Sequence, residues 1–189
     1  MNKIDKGQLI RLKKCVELAD IHANEKVLDL GCGDMFIKNL LPLGCKYLGI
    51  DEKGGNIAHN LEMGLPDEMI GRKFDIIFMT EILEHVENFK SLLVQCKDTL
   101  TDKGRIVISS PSNNRILYGD FFKGIGEDAC HIHCFRKTNM RNLARICGLK
   151  IANMIGTYIR IPPIFPMYVV IPTNQTVYTE VIIYKLEPL

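Results

Sequence analysis

The sequence predicts an α/β fold with a doubly wound, mostly parallel seven-stranded sheet and an antiparallel hairpin in its C-terminal part. Continuous apolar runs that suit buried strands alternate with segments of helical periodicity over residues 7–110. This alternation is typical of a parallel sheet that helices cover on both faces. Two later β-rich runs, separated by a proline-rich stretch, favour a hairpin at one side of the sheet.

The first elements follow one another through short links. Residues 7–24 carry leucine, isoleucine and valine at helical spacing with basic residues between them, which predicts an amphipathic leading helix. The next predicted elements are a strand over residues 26–30, a helix over residues 35–41 that ends before Pro42, and a strand over residues 46–50.

The link between the second and third strands is unusually short. A third strand is predicted over residues 56–61, only a few residues after Asp51. A parallel crossover normally needs about a dozen residues, so we expect the usual helix to be reduced to a turn here. A strand over residues 74–79, a helix over residues 88–100 and a strand over residues 105–109 complete this part of the chain.

The last third of the chain has a different pattern. A helix is predicted over residues 138–147, closed by Gly148, and it leads into a strand over residues 149–158. The proline-rich stretch 161–172 follows, and an alternating β-rich run over residues 176–185 supplies the last strand. We expect a single domain over residues 1–189.

Composition limits the class of protein. The formal net charge is +2, with 47% hydrophobic and 24% charged residues, which gives no electrostatic argument for binding nucleic acid or an anionic membrane. The N-terminal residues lack the apolar core of a signal peptide, and residues 161–172 are too short and too proline-rich to span a bilayer. Seven cysteines without an export signal suggest reduced thiols, so we expect a cytoplasmic protein.

The most informative motif is VLDLGCGD at residues 27–34. Three apolar residues and an acid run into a Gly-x-Gly turn, which is the pattern of a buried strand that opens onto a helix. Twenty residues after Gly31 the second strand ends in Asp51, an acid placed to hold the two hydroxyls of a ribose. Gly31 and Gly33 let a ligand lie against bare backbone because no Cβ intervenes. The pair predicts a nucleoside-binding site.

Two details narrow the ligand. A dinucleotide fingerprint needs a third glycine for close helix packing, and Phe36 stands at that position, which disfavours a pyrophosphate. Asp29, before the first glycine, can reach a cation directly or through water. We therefore expect a ligand with a ribose, a positive charge and no phosphates. The alternatives are a plain tight turn at Gly31 and Gly33, and a helix-capping role for Asp29.

Further motifs in order resemble one known family. VLDLGCGD is followed by GIDE, HNLEMGLPDEM, TEILEHV and GRIVISSP. This series is similar to the motifs of class I S-adenosylmethionine-dependent methyltransferases, and it is closest to the short type-11-like branch with ubiquinone-pathway-type and polysaccharide-pathway-type enzymes. The resemblance covers about residues 25–160 and implies a Rossmann-like fold with S-adenosylmethionine as the cofactor. It implies a leading helix (1–24), a cofactor-binding half (25–110) and a substrate-side half (111–189).

The resemblance also assigns an expected role to each cofactor-binding residue. Gly31, Cys32 and Gly33 are expected under the methionine part of the cofactor, with Asp29 near its amino group. Asp51 is expected to hold the ribose, with Glu52 beside it. The remaining roles are Asn60 accepting from the adenine amino group, Leu61 offering its backbone N–H to the ring, and Thr80 and Glu81 flanking the methionine end.

Two positions depart from the family pattern. Met35 stands where the family often has a third glycine, and Asn60 stands where it usually has an acid. Asn60 can still accept a hydrogen bond through its side-chain oxygen, although without a charge. Both departures predict weaker cofactor binding.

Two histidines are candidate catalytic residues. An oxygen acceptor benefits from a base with a pKa near neutrality, which favours histidine. His131 matches a histidine near the substrate pocket of the related enzymes, and a late histidine-containing segment also occurs in short methyltransferase-like proteins associated with methionine biosynthesis. His85 either faces the substrate or bonds to neighbouring backbone.

A metal site is not predicted at the run CHIHC, residues 130–134. Neighbouring ligands in an extended chain point to opposite faces, and no second ligand pair with zinc spacing stands elsewhere. His133 is therefore expected to be structural.

The leading hypothesis is methyl transfer to a small-molecule acceptor, in a pocket over the fourth and fifth strands roofed by residues 110–130 and 161–172. The alternative is a catalytically weak module that supports a partner enzyme, and a homodimer is a further arrangement to test. A nucleic-acid methyltransferase is disfavoured. The chain lacks a basic stripe, and TEIL at residues 80–83 replaces the aromatic-prolyl tetrapeptide of that class.

Overall fold

A twisted sheet forms the centre of the protein, and the computed structural model describes residues 4–112, 133, 135–161, 169–176 and 179–189. Three α-helices lie within these residues, namely α1 (Lys6–Ala19), α2 (Phe89–Asp98) and α3 (Lys137–Ile146). The strands of the described part are β1 (Lys26–Leu30), β2 (Lys46–Asp51), β3 (Ile57–Ala58), β4 (Phe74–Thr80), β5 (Leu100–Pro111), β6 (Leu149–Gly156), β7 (Tyr158–Ile161), β8 (Val169–Pro172) and β9 (Val181–Pro188).

The seven-stranded sheet has the order β3-β2-β1-β4-β5-β9-β6. Strands β1 to β5 pair in parallel, and β9 is antiparallel to both of its neighbours, β5 and β6. The predicted mostly parallel sheet with a late antiparallel pair is therefore confirmed. A separate ribbon of β7 and β8 was not predicted, because its strands fall at the end of one predicted strand and inside the proline-rich stretch.

Each face of the sheet buries its own apolar cluster. On one face α1 packs Leu12 against the sheet, and on the other α2 and α3 contribute Leu93 and Met140. Successive residues of a strand point to opposite faces, so Val27 of β1 joins the first cluster and Leu28 joins the second. Burial on both faces accounts for the continuous apolar runs in the sequence.

Two predicted helices differ from the structure. The leading helix ends at Ala19 rather than at residue 24, because Asp20 adopts a left-handed conformation with φ 53° and ends the hydrogen-bonding pattern. The segment after β1 forms a five-residue 3₁₀ helix, Phe36–Leu40, instead of an α-helix. It begins after Met35, whose φ of 56° interrupts helical backbone, and Pro42 prevents extension beyond it.

The crossover from β2 to β3 contains no helix, as its short length predicts. Asn56 closes the turn, because its backbone N–H donates to the Gly49 carbonyl and its side-chain oxygen accepts from the Gly49 N–H, both at 2.8 Å. Gly55 permits this path with a φ of 76°. The resulting β3 has only two residues, shorter than the predicted strand over residues 56–61.

Candidate functional site

A cavity of about 390 Å³ lies where α1 crosses the carboxyl ends of the strands. This edge of an open parallel sheet is where ligands bind, because the loops diverge there. Predicted site residues that line it are Asp29, Gly31, Cys32, Gly33 and Thr80, and α1 adds Gln8 and Arg11.

Asp29 supplies the buried charge of this cavity. Its side chain is 1% exposed, and one carboxylate oxygen accepts a hydrogen bond of 2.7 Å from the Tyr47 hydroxyl. The other oxygen, Oδ1, is buried and has no hydrogen-bond partner among the residues that the structure describes. Burial raises the pKa of Asp29 to about 7, and Asp51 raises it further while the Tyr47 hydroxyl opposes the shift. Asp29 does not cap a helix, so that alternative is wrong.

Gly49 makes the contact between Tyr47 and Asp29 sterically feasible. Gly49 pairs directly with Asp29 across β1 and β2, and Tyr47 lies two residues earlier on the same face. A Cβ on Gly49 would lie 3.0 Å from the Tyr47 hydroxyl and 2.7 Å from the Cys32 sulfur. Sequence analysis missed Tyr47, because its role depends on strand register and on a glycine that looked unremarkable within the strand.

The two glycines of the turn differ in what lies against them. Gly31 and Gly33 have φ values of 69° and 48°, which glycine adopts without strain. A Cβ on Gly33 would meet no atom of the described residues within 4 Å, so its bare face is open toward this part of the protein. A Cβ on Gly31 would lie 1.9 Å from the Ile82 side chain, so that face is occupied from within the protein. The expected bare backbone is therefore open at Gly33 and covered at Gly31.

Asp51 faces the turn. Its carboxylate accepts hydrogen bonds from the backbone N–H of Gly33 at 2.9 Å and of Lys53 at 3.0 Å. The two parallel strands bring their carboxyl ends side by side, which places this acid next to the open face of Gly33. Glu52 is exposed beside it.

The predicted adenine contacts lie after β3. The side-chain oxygen of Asn60 accepts a hydrogen bond of 2.9 Å from the Glu62 N–H and caps the 3₁₀ helix Leu61–Met63. An amide oxygen has two lone pairs, so this cap leaves one of them for a second donor. Leu61 is buried, whereas Asn60 is exposed. Neither residue borders the cavity beneath α1.

Glu81 follows β4 and is committed to other side chains. It has a φ of 57°, and its carboxylate accepts a hydrogen bond from the Ser109 hydroxyl at 3.0 Å and pairs with Arg11 at 3.4 Å. Within the described part of the chain, the buried Nε of Arg11 has no hydrogen-bond partner. Sequence analysis treated α1 only as an amphipathic helix, and no local pattern distinguishes Arg11 from the other basic residues on it.

Glu84 is a second buried acid, and sequence analysis assigned it no role. Its side chain is fully buried, and neither carboxylate oxygen has a hydrogen-bond partner in any other residue that the structure describes. Burial raises the pKa of Glu84 to about 8, with a further contribution from Glu81. Its backbone carbonyl accepts from the His133 N–H at 3.1 Å. An isolated carboxyl in such surroundings holds a proton at neutral pH.

The candidate histidines are separate cases. His85 is half-buried, and its backbone N–H donates to the Ile82 carbonyl at 3.0 Å. His133 packs edge-on against Phe89, with ring centroids 4.6 Å apart. His131 lies outside the described residues, as does most of the predicted roof over residues 110–130 and 161–172. Within the described part, no group of side chains has the arrangement of a metal site.

Comparison with known proteins assigns the family. The chain matches a family model described as a methyltransferase domain over residues 6–153. It belongs to this methyltransferase family. The match and the solved structures that share the fold confirm the recognition of a class I S-adenosylmethionine-dependent methyltransferase, and with it the enzyme class.

Similar proteins cover most of the chain. The ubiquinone biosynthesis O-methyltransferases of Pseudomonas aeruginosa (strain LESB58) and Pseudomonas putida (strain W619) are each 28% identical to it, over 71% of this chain and 68% of theirs. A methyltransferase structure from Clostridium acetobutylicum ATCC 824 has a TM-score of 0.66 at 14% identity and covers 98% of this chain and 93% of its own.

A further similar protein was solved with bound ligands. The Burkholderia thailandensis 1,6-didemethyltoxoflavin-N1-methyltransferase, with bound 1,6-didemethyltoxoflavin and S-adenosylhomocysteine, has a TM-score of 0.63 at 14% identity and covers 97% of this chain and 79% of its own. At such identities the solved structures establish the Rossmann-like fold. In the described residues of the present chain, no helix is both long and apolar enough to cross a membrane.

Proposed function

We propose that this methyltransferase acts on a small-molecule acceptor and that the cavity beneath α1 holds the methionine part of S-adenosylmethionine. The observation that carries the proposal is a buried, half-satisfied Asp29 beside a glycine turn whose open face borders Asp51. S-adenosylmethionine supplies a methyl group on a positively charged sulfur. The residues around it have to hold its charges and align the acceptor.

The residues present fit this cofactor. The unpaired Oδ1 of Asp29 is buried at the cavity, so a cationic partner there would relieve an unsatisfied polar atom. The open space over Gly33 admits a ligand against the backbone. The carboxylates of Asp29 and Asp51 can accept hydrogen bonds from an ammonium group and from hydroxyls, and the guanidinium of Arg11 can donate to a carboxylate.

Opposite charges on two sides of the cavity orient the amino-acid end. Asp29 would accept from the ammonium group, and Arg11 would hold the carboxylate through its planar donor set. Arg11 can take this role because its Nε is unpaired while another of its nitrogens pairs with Glu81. Thr80, at the tip of β4, would flank the same end.

The nucleoside would extend from the turn toward β3. Asp51 would accept from the ribose hydroxyls, with Glu52 beside it. Asn60 would accept from the adenine amino group through the remaining lone pair of its oxygen, and the Leu61 N–H would donate to the ring. Gly31 and Cys32 would contribute only their backbone. The Ile82 side chain covers Gly31, and the sulfur of Cys32 packs against Gly49.

The acceptor loses a proton if an O–H or N–H group is methylated, and a base near neutral pKa helps this step. His85 and His131 are the proposed bases. A small-molecule acceptor is supported by the names of similar proteins, which include O-methyltransferases of ubiquinone biosynthesis and an N-methyltransferase of a toxoflavin precursor.

Calorimetric titration with S-adenosylhomocysteine tests the cofactor site. We expect the wild-type protein to bind and Asp51→Ala to bind about tenfold to a hundredfold more weakly, because two ribose hydroxyls lose their acceptor. Asp102→Ala, which removes an exposed acid on β5, is the matched control and should bind as the wild type does.

Two results would contradict the proposal. Equal affinities of wild type and Asp51→Ala would mean that the ribose lies elsewhere. Folded wild-type protein that gives no heat at high ligand concentration would favour the alternative, a methyltransferase-fold module that supports a partner enzyme.

A further inference from the structure

The sheet lacks its usual helical cover at one place far from the cofactor cavity. Between β2 and β4 every residue of 52–73 is described, and only two three-residue 3₁₀ helices occur there, Leu61–Met63 and Asp67–Met69. A doubly wound sheet normally places a helix over such strands. The first residues of β1 and β2, Lys26 and Lys46, are exposed.

A groove of about 530 Å³ occupies this place. It is lined by the first residues of β1, β2 and β4 and by the turn before β4, including Leu48 and Phe74. Phe74 is a buried member of the apolar cluster that α2 and α3 cover elsewhere, and the half-buried Leu48 packs against that cluster. The floor of the groove therefore leaves the margin of this cluster partly uncovered at Leu48.

Cationic side chains surround this floor. Lys26, Lys46, Arg72 and Lys73 all line the groove and all are exposed. Lys73 donates to the Asp98 carbonyl at 2.9 Å, and no ion pair involves any of the four within the described part of the chain. The neighbouring acid, Asp75, is engaged by the Lys26 backbone N–H and by the Thr101 hydroxyl. Asp75 keeps its negative charge because both of these donors are neutral, so the four cations and this one acid leave a net positive charge at the groove.

Two exposed apolar side chains stand close to these cations in the sequence. Leu43, three residues before Lys46, is 94% exposed, and Ile70, two residues before Arg72, is 79% exposed. Large apolar side chains beside charged ones suit a protein interface, in which apolar anchors are buried and charges select the partner.

We propose that this groove docks an acidic amphipathic segment of a partner protein, which packs its apolar face on Leu48 and sets carboxylates against the four cations. The groove is concave, so a segment such as a helix can enter it, whereas a flat bilayer surface would contact only its rim. Charge complementarity selects an acidic occupant and disfavours a second copy of this chain, which would bring the same positive surface. The inference does not depend on the proposed function.

Fluorescence anisotropy with a labelled 18-residue peptide, built of leucines at helical spacing on one face and glutamates on the other, tests this surface. We expect the wild-type protein to bind the peptide in a salt-sensitive manner, and the Lys46→Glu/Arg72→Glu double variant to bind at least about tenfold more weakly. The Lys13→Glu/Arg141→Glu variant makes the same charge change on α1 and α3 and should bind as the wild type does.

Circular dichroism and calorimetry with S-adenosylhomocysteine should give the same result for the groove variant and the wild type, which separates this surface from the cofactor site. The proposal is overturned if both double variants weaken peptide binding equally, or if a polyglutamate peptide without leucines binds as tightly. It is also overturned if vesicles of phosphatidylcholine and phosphatidylglycerol displace the peptide, or if size-exclusion chromatography shows a dimer that the groove variant abolishes.

Discussion

The two halves of this sheet are built differently. After Thr80, α2 and α3 cover one face of the sheet and bury residues such as Leu93 and Leu143, while α1 packs on the other face against β5 and β9. Before it, the links between β1, β2, β3 and β4 contain only 3₁₀ turns. The first half nevertheless keeps the strand register that sets Asp51 beside Gly33. The geometry of the cofactor cavity thus depends on strand pairing and turn chemistry rather than on complete helical layers.

The largest expected effect tests the difference in cover. Leu93→Ala in α2 should lower the free energy of unfolding by about 2–5 kcal/mol, because it leaves a cavity in a fully packed layer. Leu48→Ala, on the face without a helix, should cost much less because Leu48 is only half-buried. Chemical denaturation of both variants measures the difference, and similar costs would mean that the two halves are equally packed.

A smaller effect tests the path of the Tyr47 side chain, which passes Gly49 to reach Asp29. Gly49→Ala should lower the free energy of unfolding by about 1–3 kcal/mol and weaken binding of S-adenosylhomocysteine, because the new methyl group meets the Cys32 sulfur and the Tyr47 hydroxyl. Gly54→Ala is the matched control, since its new Cβ would make one ordinary contact of 3.6 Å. Equal stability of the two variants would mean that the Tyr47 and Cys32 side chains are not tightly packed against Gly49.

The buried acids should make stability depend on pH. Glu84 has an ordinary pKa of 4.5 and a folded pKa of about 8, so the folded state binds a proton that the unfolded state releases above pH 4.5. Its contribution to stability is full below pH 4.5 and is lost as pH rises to about 8. From pH 5 to pH 8 the free energy of unfolding of Glu84→Gln should therefore rise by at least about 1.4 kcal/mol relative to that of the wild type.

Denaturation curves at the two pH values measure this gain. Glu68→Gln, at an exposed acid, serves as the control and should track the wild type at both. If the free energies of unfolding of Glu84→Gln and the wild type differ by the same amount at pH 5 and at pH 8, the carboxyl of Glu84 finds a partner when it ionises.

The smallest effect concerns the charge at the cavity. The pKa of Asp29 is about 7, so its carboxylate forms as pH rises through that value. Binding of S-adenosylhomocysteine, with its ammonium group, should tighten severalfold from pH 6 to pH 8 in the wild type and stay constant in Asp29→Asn. Calorimetry at both pH values measures this. The same pH dependence in the variant would place the ammonium group away from Asp29.

The strands and the turn could be predicted from the sequence because their signals are local. Apolar runs mark β1, β2, β4 and β5, and an acid at the end of β2 lies beside a Gly-x-Gly turn once the two strands pair in parallel. The absence of a helix after Asp51 followed from the length of the link alone. Helical propensity failed at residues 35–41, where the left-handed Met35 and nearby Pro42 leave room only for a 3₁₀ helix.

Other features needed three-dimensional information. Tyr47 reaches Asp29 only because Gly49 pairs opposite it, and Arg11 meets Glu81 only because α1 packs across the strand ends. The burial of the Glu84 carboxyl has no sequence signature, since glutamate side chains in proteins are mostly exposed. Contacts between distant segments decide all three.

A crystal structure of the complex with S-adenosylhomocysteine tests the central claim most directly. The account predicts ribose hydroxyls within hydrogen-bonding distance of the Asp51 carboxylate, the ammonium group beside Oδ1 of Asp29, and the ligand backbone against the open face of Gly33. A ligand bound elsewhere, or one that leaves Asp51 bonded only to the Gly33 and Lys53 N–H groups, would contradict it.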